Sequence, residues 1–228
     1  MRRFQAIVFD FDGTLADTMA DHFRAWQAVM SPYGIHLAPE DYYPLEGVRV
    51  AELPRRFFEK YGQPPRDEEE LVRQKEQYYL AHHTFAFYPG VEGLIRQLSG
   101  QGVPLAVVTA GLLERLRRSV PAGFLEQFTA VVTGEDTTVG KPSPEPYLRG
   151  AEKLSVRPEA CIVVENAPIG VESAKRAGAY CIALCTTVAR EASQQADEVV
   201  ESFEALQHVP LIKQLLTSSN GAAHRGAR

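Results

Sequence analysis

Three cysteines, at positions 161, 181 and 185 of 228 residues, are too few and odd in number for a disulfide framework, so a cystine-stapled scaffold is not expected. Cys161 and Cys181 lie in apolar, strand-like stretches and read as reduced core thiols. No apolar run approaches the roughly 18 to 20 residues of a membrane span. The N-terminal MRRF passes directly into a short strand-like stretch, so a cytoplasmic location without a membrane partner is expected. Blocks of positive charge are lacking as well. The formal net charge is −5 with Lys and Arg scattered, which leaves no electrostatic footprint for nucleic acid. His82-His83 has no companion at metal-ligand spacing. What is present, 45% hydrophobic and 23% charged residues, is the composition of a folded chain, long enough for one domain with an insertion or for two small domains. Only 218–228, at the end of TSSNGAAHRGAR, hold too little apolar surface to order and are expected as a disordered tail.

Strands are predicted over 4–9, 105–108, 129–132, 160–164, 180–184 and, weakly, 198–200, from short apolar runs bounded by turn residues. From residue 85 onward they alternate with amphipathic stretches at 91–98, 112–120, 145–154 and 169–177. That rhythm predicts an α/β fold: a Rossmann-like, doubly wound parallel sheet with helices on both faces. Residues 16–84 break the rhythm. They are rich in Tyr, Phe, Glu and Arg and read as helix after helix, interrupted at Ser31-Pro32, Pro44, Pro54 and between Gly62 and Pro65. An α-helical cap inserted over 16–84 is therefore predicted, with the α/β core formed by 1–15 and 85–217.

Ligands of open α/β sheets bind at the carboxyl ends of the strands, so the residues that follow each strand form the useful inventory. FDFDGTLADT places Asp10, Phe11, Asp12 and Gly13 after the first strand, and Thr109, Ala110 and Gly111 follow the second. Lys141 lies in VGKPSPEPY, expected at the start of a helix, and Glu165 with Asn166 follows the fourth strand. These groups suit phosphoryl transfer. A carboxylate can attack phosphorus and carry the group covalently, which assigns Asp10 as nucleophile. The approach of two anions needs a hard cation; Mg2+ is the expected cofactor, held by Asp10, the Asp12 carbonyl, Glu165 and Asn166. Asp12 is left to protonate the leaving oxygen and activate water. Thr109 and the backbone near Phe11, Ala110 and Gly111 are expected to bind phosphate, with Lys141 balancing its charge. Thr109 is also expected to cap the helix that begins near Leu112.

DFDGTLADT, the strand ending in Thr109, VGKPSPEPY and VVENAPIGVESAKRAG, in that order, resemble the four motifs of the haloacid dehalogenase superfamily across almost the whole chain. Within it the chain is similar to the β-phosphoglucomutase-like group. The resemblance implies a Rossmann-like core, a helical cap, Mg2+ dependence and the roles just assigned. The Glu165-Asn166 pair stands where Glu-Asp is usual, which removes one formal charge from the cation site; weaker cation binding is expected.

The cap should decide the reaction. His22 and Trp26 on the first cap helix, Glu46, Gly47 and Arg49 in LEGVRVAE, and Lys75 are its candidate substrate contacts. A mutase must grip a second phosphate, yet Arg49 is displaced by one position from the β-phosphoglucomutase pattern and Glu46 adds negative charge there. Thr14 in the DGT form of the first motif likewise favours water as acceptor. The expectation is thus a Mg2+-dependent phosphatase of a small phosphorylated metabolite, a sugar phosphate, acting as a monomer or weak homo-oligomer. A sugar-phosphate mutase and a non-catalytic binding relative stay open as alternatives. Dehalogenation is disfavoured, because it needs neither a second catalytic Asp nor Mg2+, whereas Asp12 and the Glu165-Asn166 pair are both retained.

Overall fold

A computed structural model describes residues 4–64 and 66–218. Six parallel strands, β1 (Ala6–Phe9), β2 (Leu105–Val108), β3 (Ala130–Val132), β4 (Cys161–Glu165), β5 (Tyr180–Leu184) and β6 (Glu198–Val200), form one sheet in the order β3-β2-β1-β4-β5-β6. Four α-helices lie between β1 and residue 85: α1 (Met19–Met30), α2 (Pro39–Tyr42), α3 (Leu53–Lys60) and α4 (Glu68–His82). The others are α5 (Val91–Gly100), α6 (Leu113–Ser119), α7 (Glu145–Lys153), α8 (Pro168–Arg176), α9 (Phe203–Leu206) and α10 (Pro210–Ser218). Of the predicted tail, Ser218 closes α10 and 219–228 lie outside the described residues.

β1, β2, β4 and, apart from Tyr180, β5 are buried on both faces, which is why they read as continuous apolar runs rather than as alternation, whereas the edge strands β3 and β6 are only partly buried. In β1, Ile7 and Phe9 face a layer that includes Leu94, Leu98, Phe203 and Ile212, while Ala6 and Val8 face Tyr147, Ala151, Val171 and Ala174. The second layer uses small residues so that α7 and α8 approach closely. A Cβ built on Gly150 would lie 3.0 Å from Val108 and 3.3 Å from Val8. Met19, Trp26, Met30, Leu53, Phe57, Phe58 and Leu71 form a separate apolar cluster within the inserted helices. Burial of aromatic groups such as Trp26 and Phe57, each worth about 1.5–3 kcal/mol, explains how this segment packs without a sheet.

Because β1 is flanked by β2 on one side and β4 on the other, the chain switches direction of winding between β1 and β4. The loops after these strands diverge there and open a crevice at their carboxyl ends. Small differences from expectation bear on the site. β4 extends through Glu165, so this side chain is fixed by the sheet itself. Lys141 precedes α7 by several residues and lies in the loop, not at the helix start. Among the described residues, no helix is long and apolar enough to cross a membrane.

Candidate active site

Two carboxylates two residues apart leave β1 and receive opposite partners. Asp10 meets the Lys141 ammonium at 2.6 Å, and the same ammonium meets Glu165 Oε1 at 2.6 Å. Tyr147 of α7 donates to that Glu165 oxygen at 2.9 Å, while Glu165 Oε2 accepts the backbone N–H groups of Asn166 and Ala167, both at 2.7 Å. Lys141 is therefore seated between the loop after β1 and the last residue of β4, with Tyr147 of α7 bracing Glu165. Burial pushes the Asp10 carboxyl up to about 7; Lys141 opposes that rise and Glu165 adds to it. Its attraction to two carboxylates holds Lys141 firmly protonated against the effect of burial.

Asp12 faces the other way. Arg115 of α6 grips it as a fork, Nη1 to Oδ1 at 2.8 Å and Nη2 to Oδ2 at 2.6 Å, and Thr18 donates to Oδ1 at 2.7 Å. His22 Nε2 lies 3.0 Å from Oδ1, and Lys75 Nζ lies 2.9 Å from His22 Nδ1. An ammonium can only donate, so Nδ1 accepts and a neutral imidazole with its proton on Nε2 satisfies both contacts. Burial and the Lys75 charge bring His22 down to about 4, in agreement with the neutral ring. Burial alone would raise Asp12, but Arg115 first and His22 second outweigh it and hold the carboxyl well below its ordinary range. Lys75 pairs with Glu76 at 2.9 Å, so this side is formally balanced: Asp12 and Glu76 against Arg115 and Lys75.

The Asp10 side is not balanced. Glu46 joins it from the cap loop, buried at 4% exposure, which gives three carboxylates against the single ammonium of Lys141. Glu46 Oε2 accepts from Thr187 Oγ1 at 2.8 Å and from Asn166 Nδ2 at 3.3 Å, whereas Oε1 is buried with no hydrogen-bond partner. Burial raises Glu46 to about 7. Surplus negative charge, an orphaned carboxylate oxygen and an all-oxygen donor set fit a hard divalent cation. Among the described residues no group of three or more His, Cys, Asp or Glu is arranged around a metal position, and the Lys141 ammonium lies between Asp10 and Glu165.

Asn166 was expected to present its oxygen to the cation. Its Oδ1 instead accepts from Thr14 Oγ1 at 2.8 Å, and its Nδ2 donates to Thr187 Oγ1 at 2.8 Å as well as to Glu46. Gly13 makes this approach possible: its φ is +88°, and a Cβ there would fall 2.2 Å from Asn166 Nδ2.

Thr109 does not cap α6, whose N-cap is Leu112 with no side-chain hydrogen bond. Its hydroxyl accepts from Gly111 N–H at 3.1 Å and lies 3.4 Å from Asp12 Oδ2, so this backbone donor is engaged by Thr109 rather than presented to the cavity. Ala110 and Gly111 line the cavity with Asp10, Asp12 and Thr109. Phe11 is fully buried and its ring lies under the Arg115 guanidinium at 5.8 Å, a core role in this arrangement.

The cap loop stands over the site. Val50 N–H reaches Ala110 O at 3.3 Å, and Gly47 packs by Ile169 and Lys141. Arg49 turns away from the acids; it bonds Glu52 at 2.8 Å and Thr137 O at 3.0 Å, which makes it a link between cap and core. Trp26 packs edge-on to Phe57 with ring centroids 5.4 Å apart, and Lys75 Nζ lies 5.9 Å from the Trp26 ring. The central cavity is about 50 Å³. That is well below the about 300–1,000 Å³ of ligand pockets, so a sugar-sized substrate requires the cap to move. Sequence reasoning missed Arg115, Thr18, Glu76 and Thr187. The available signal for Arg115 was Gly111: a Cβ there would fall 2.0 Å from Nη2, so the glycine four residues earlier makes its room.

A crevice at the switch point of a parallel sheet, with paired acids, a buried lysine and a helical cover, defines a hydrolase of the phosphoryl-transfer type. A family model described as haloacid dehalogenase-like hydrolase matches residues 7–184, and the chain belongs to that family. Hexitol phosphatase A of Escherichia coli (strain K12) is 31% identical over 204 residues, covering 90% of this chain and 94% of that protein. Fructose-1-phosphate phosphatase YqaB of the same organism is 28% identical, covering 77% and 94%. A crystal structure of a CbbY mutant from Rhodobacter sphaeroides in complex with xylulose-(1,5)bisphosphate superposes with a TM-score of 0.77 at 30% identity, covering 88% of this chain and 95% of that one. The β-phosphoglucomutase of Clostridium difficile shares the fold, with a TM-score of 0.78 at 23% identity over 92% and 98% of the two chains.

Proposed function

We propose that the chain is a Mg2+-dependent phosphatase that hydrolyses a small sugar phosphate through a phospho-aspartyl intermediate on Asp10. The observation that carries the reading is the opposite treatment of Asp10 and Asp12. One is bridged through Lys141 to Glu165 amid surplus negative charge, and the other is neutralised by Arg115 and stands clear. The sugar-phosphate phosphatases among the relatives support the substrate class.

In this reading an Asp10 carboxylate oxygen forms the bond to phosphorus as the ester oxygen leaves with its electron pair and takes a proton from Asp12. Water then attacks phosphorus, gives its proton to Asp12, and releases inorganic phosphate and free Asp10. Asp12 must therefore be protonated for the first step and ionised for the second. Arg115 enforces the ionised form here, so its separation from Asp12 selects between them. Lys141 neutralises the phosphoryl oxygens, and Thr109 is placed to contact them. Asp10, the Asp12 carbonyl and Glu165 would hold the cation, joined by Asn166 Oδ1 once Thr14 releases it; when bound, the cation offsets charge between the acids and the phosphate.

A phosphate-release screen over sugar phosphates, with and without Mg2+, tests the reading, run beside an isomerisation assay primed with a sugar bisphosphate. Mg2+-dependent release is expected. Bisphosphate-dependent isomerisation with little release would establish a mutase instead, and folded protein inactive in both assays would establish a non-catalytic relative.

A further inference from the structure

We propose that Glu46 of the cap loop is part of the cation site and carries the carboxylate charge that Asn166 withholds. This rests on the cation-dependent reading above and deepens it. The two residues form a matched pair. The Asn166 amide donates from Nδ2 to Glu46 Oε2 at 3.3 Å and to Thr187 at 2.8 Å, and Thr187 donates to the same Glu46 oxygen at 2.8 Å. An aspartate at 166 has no N–H to donate and would set a second carboxylate against Glu46 in a buried space. An acid on the cap and an amide on the core are thus compatible where two acids are not.

The second observation concerns Glu46 Oε1, which is buried and lacks any hydrogen-bond partner in a side chain 4% exposed. Leaving a buried carboxylate oxygen dry and unpartnered costs several kcal/mol in general, and a cation removes that cost. Glu46 lines the same small cavity as Asp10 and Asp12. Its backbone is held there by the neighbouring contacts of Val50 with Ala110 and of Arg49 with Thr137. Part of the negative charge for the cation therefore arrives on the cap loop, which must move for a sugar-sized substrate to enter a cavity of about 50 Å³. Cation affinity and cap closure become one equilibrium, each strengthening the other to the same extent.

The test uses Mn2+ as a spectroscopic probe, with binding to the full chain measured by electron paramagnetic resonance in the absence of substrate. The proteins are the native chain, Glu46→Gln, Asn166→Asp and the double substitution. Glu46→Gln is expected to weaken Mn2+ binding about tenfold or more, in line with the loss of a supporting group at a metal site. Asn166→Asp alone is expected to give no gain while Glu46 is present. The double substitution again sets an acid against an amide and is expected to return affinity to within about threefold of native. Thermal unfolding of each protein separates a folded weak binder from a misfolded one, and the double substitution reads the same coupling if Glu46→Gln does not fold. Native protein that binds Mn2+ together with an equally tight Glu46→Gln would overturn this inference alone. Failure of the native chain to bind Mn2+ would overturn the cation-dependent reading and this inference with it.

Discussion

Asp10 and Asp12 leave the same strand, two residues apart, yet one side of the site keeps its charge unpaired and the other side neutralises it. Around Asp12 the chain supplies its own cations, Arg115 and Lys75, and the carboxyl is held well below its ordinary range. Around Asp10 it supplies three carboxylates and one ammonium, and the carboxyl is pushed up to about 7. The difference teaches that the acids divide their work through their neighbours, not through their own chemistry. The unbalanced side can recruit a cation, and the balanced side can trade a proton.

The comparison is broken most severely by Asp10→Asn. Loss of the proposed nucleophile is expected to lower kcat by about four orders of magnitude or more, because an amide at position 10 cannot carry the phosphoryl group as a carboxylate does. Asp12→Ala is expected to cost less, about 10²–10⁴-fold, the usual worth of a general acid and base. Steady-state kinetics on the best substrate of the screen decides. Persistence of near-native turnover in Asp10→Asn would overturn the covalent route.

Arg115→Met tests the balanced side. It removes one member of a buried ion pair and leaves Asp12 with Thr18, His22 and the longer contact of Thr109, a change expected to cost about 3–5 kcal/mol of stability by chemical denaturation. The remaining Asp12 should titrate at higher pH, since its largest stabilising charge is gone. The limb of the kcat/KM profile that reports Asp12 is therefore expected to move upward in pH. An unmoved profile in folded protein would mean that Arg115 only packs.

Much of this arrangement was legible in the chain because it is local. β2 and β5 coincide with the predicted 105–108 and 180–184, since short apolar runs bounded by turns leave little choice, and the acids at the carboxyl ends of β1 and β4 come with them. Arg115 was not legible. Nothing within LERLRRS separates it from Arg117 and Arg118 until α6 is docked and Gly111 is seen beside it. Glu46 and Arg49 were assigned jointly to substrate, but the fold of their loop sends Glu46 to Asn166 and Arg49 to Thr137. That separation depends on contact between segments more than 80 residues apart, as the Arg49 bond to Thr137 illustrates with a spacing of 88. Local pattern does not encode it.

The unbalanced side can be sharpened by pH. Burial raises Asp10 and Glu46 to about 7, so in the cation-free protein protons occupy these sites at lower pH and must leave when Mg2+ binds. The sign follows: Mg2+ affinity should rise with pH and level off above that range, by up to about tenfold per pH unit for each proton displaced. Calorimetric titration at a series of pH values checks this. The Mg2+-induced increase in melting temperature should follow the same trend, and an affinity independent of pH would mean that neither acid changes protonation on binding.

The smallest expected effects come from two glycines, one on each side, and they compare the rigidity of the sides. Gly13→Ala combines a φ of +88° with a Cβ 2.2 Å from Asn166 Nδ2. The left-handed backbone alone costs about 1–2 kcal/mol. Asn166 is also held by Thr14, Thr187 and Glu46 and has little freedom to withdraw. Gly111→Ala brings a Cβ to 2.0 Å from Arg115 Nη2, but its backbone has no such strain and the atom it meets ends a flexible side chain. A shift of the guanidinium should relieve the clash at a stability cost of about 1 kcal/mol, while loosening the grip on Asp12. Gly111→Ala is therefore expected to reproduce, in weaker form, the upward shift of the pH profile expected for Arg115→Met, and Gly13→Ala to lower stability and Mn2+ affinity without that shift. Melting curves, Mn2+ titrations and pH profiles of the two variants separate the cases. If both move the same quantity, the two sides of the site are one coupled unit and the division of labour between Asp10 and Asp12 fails.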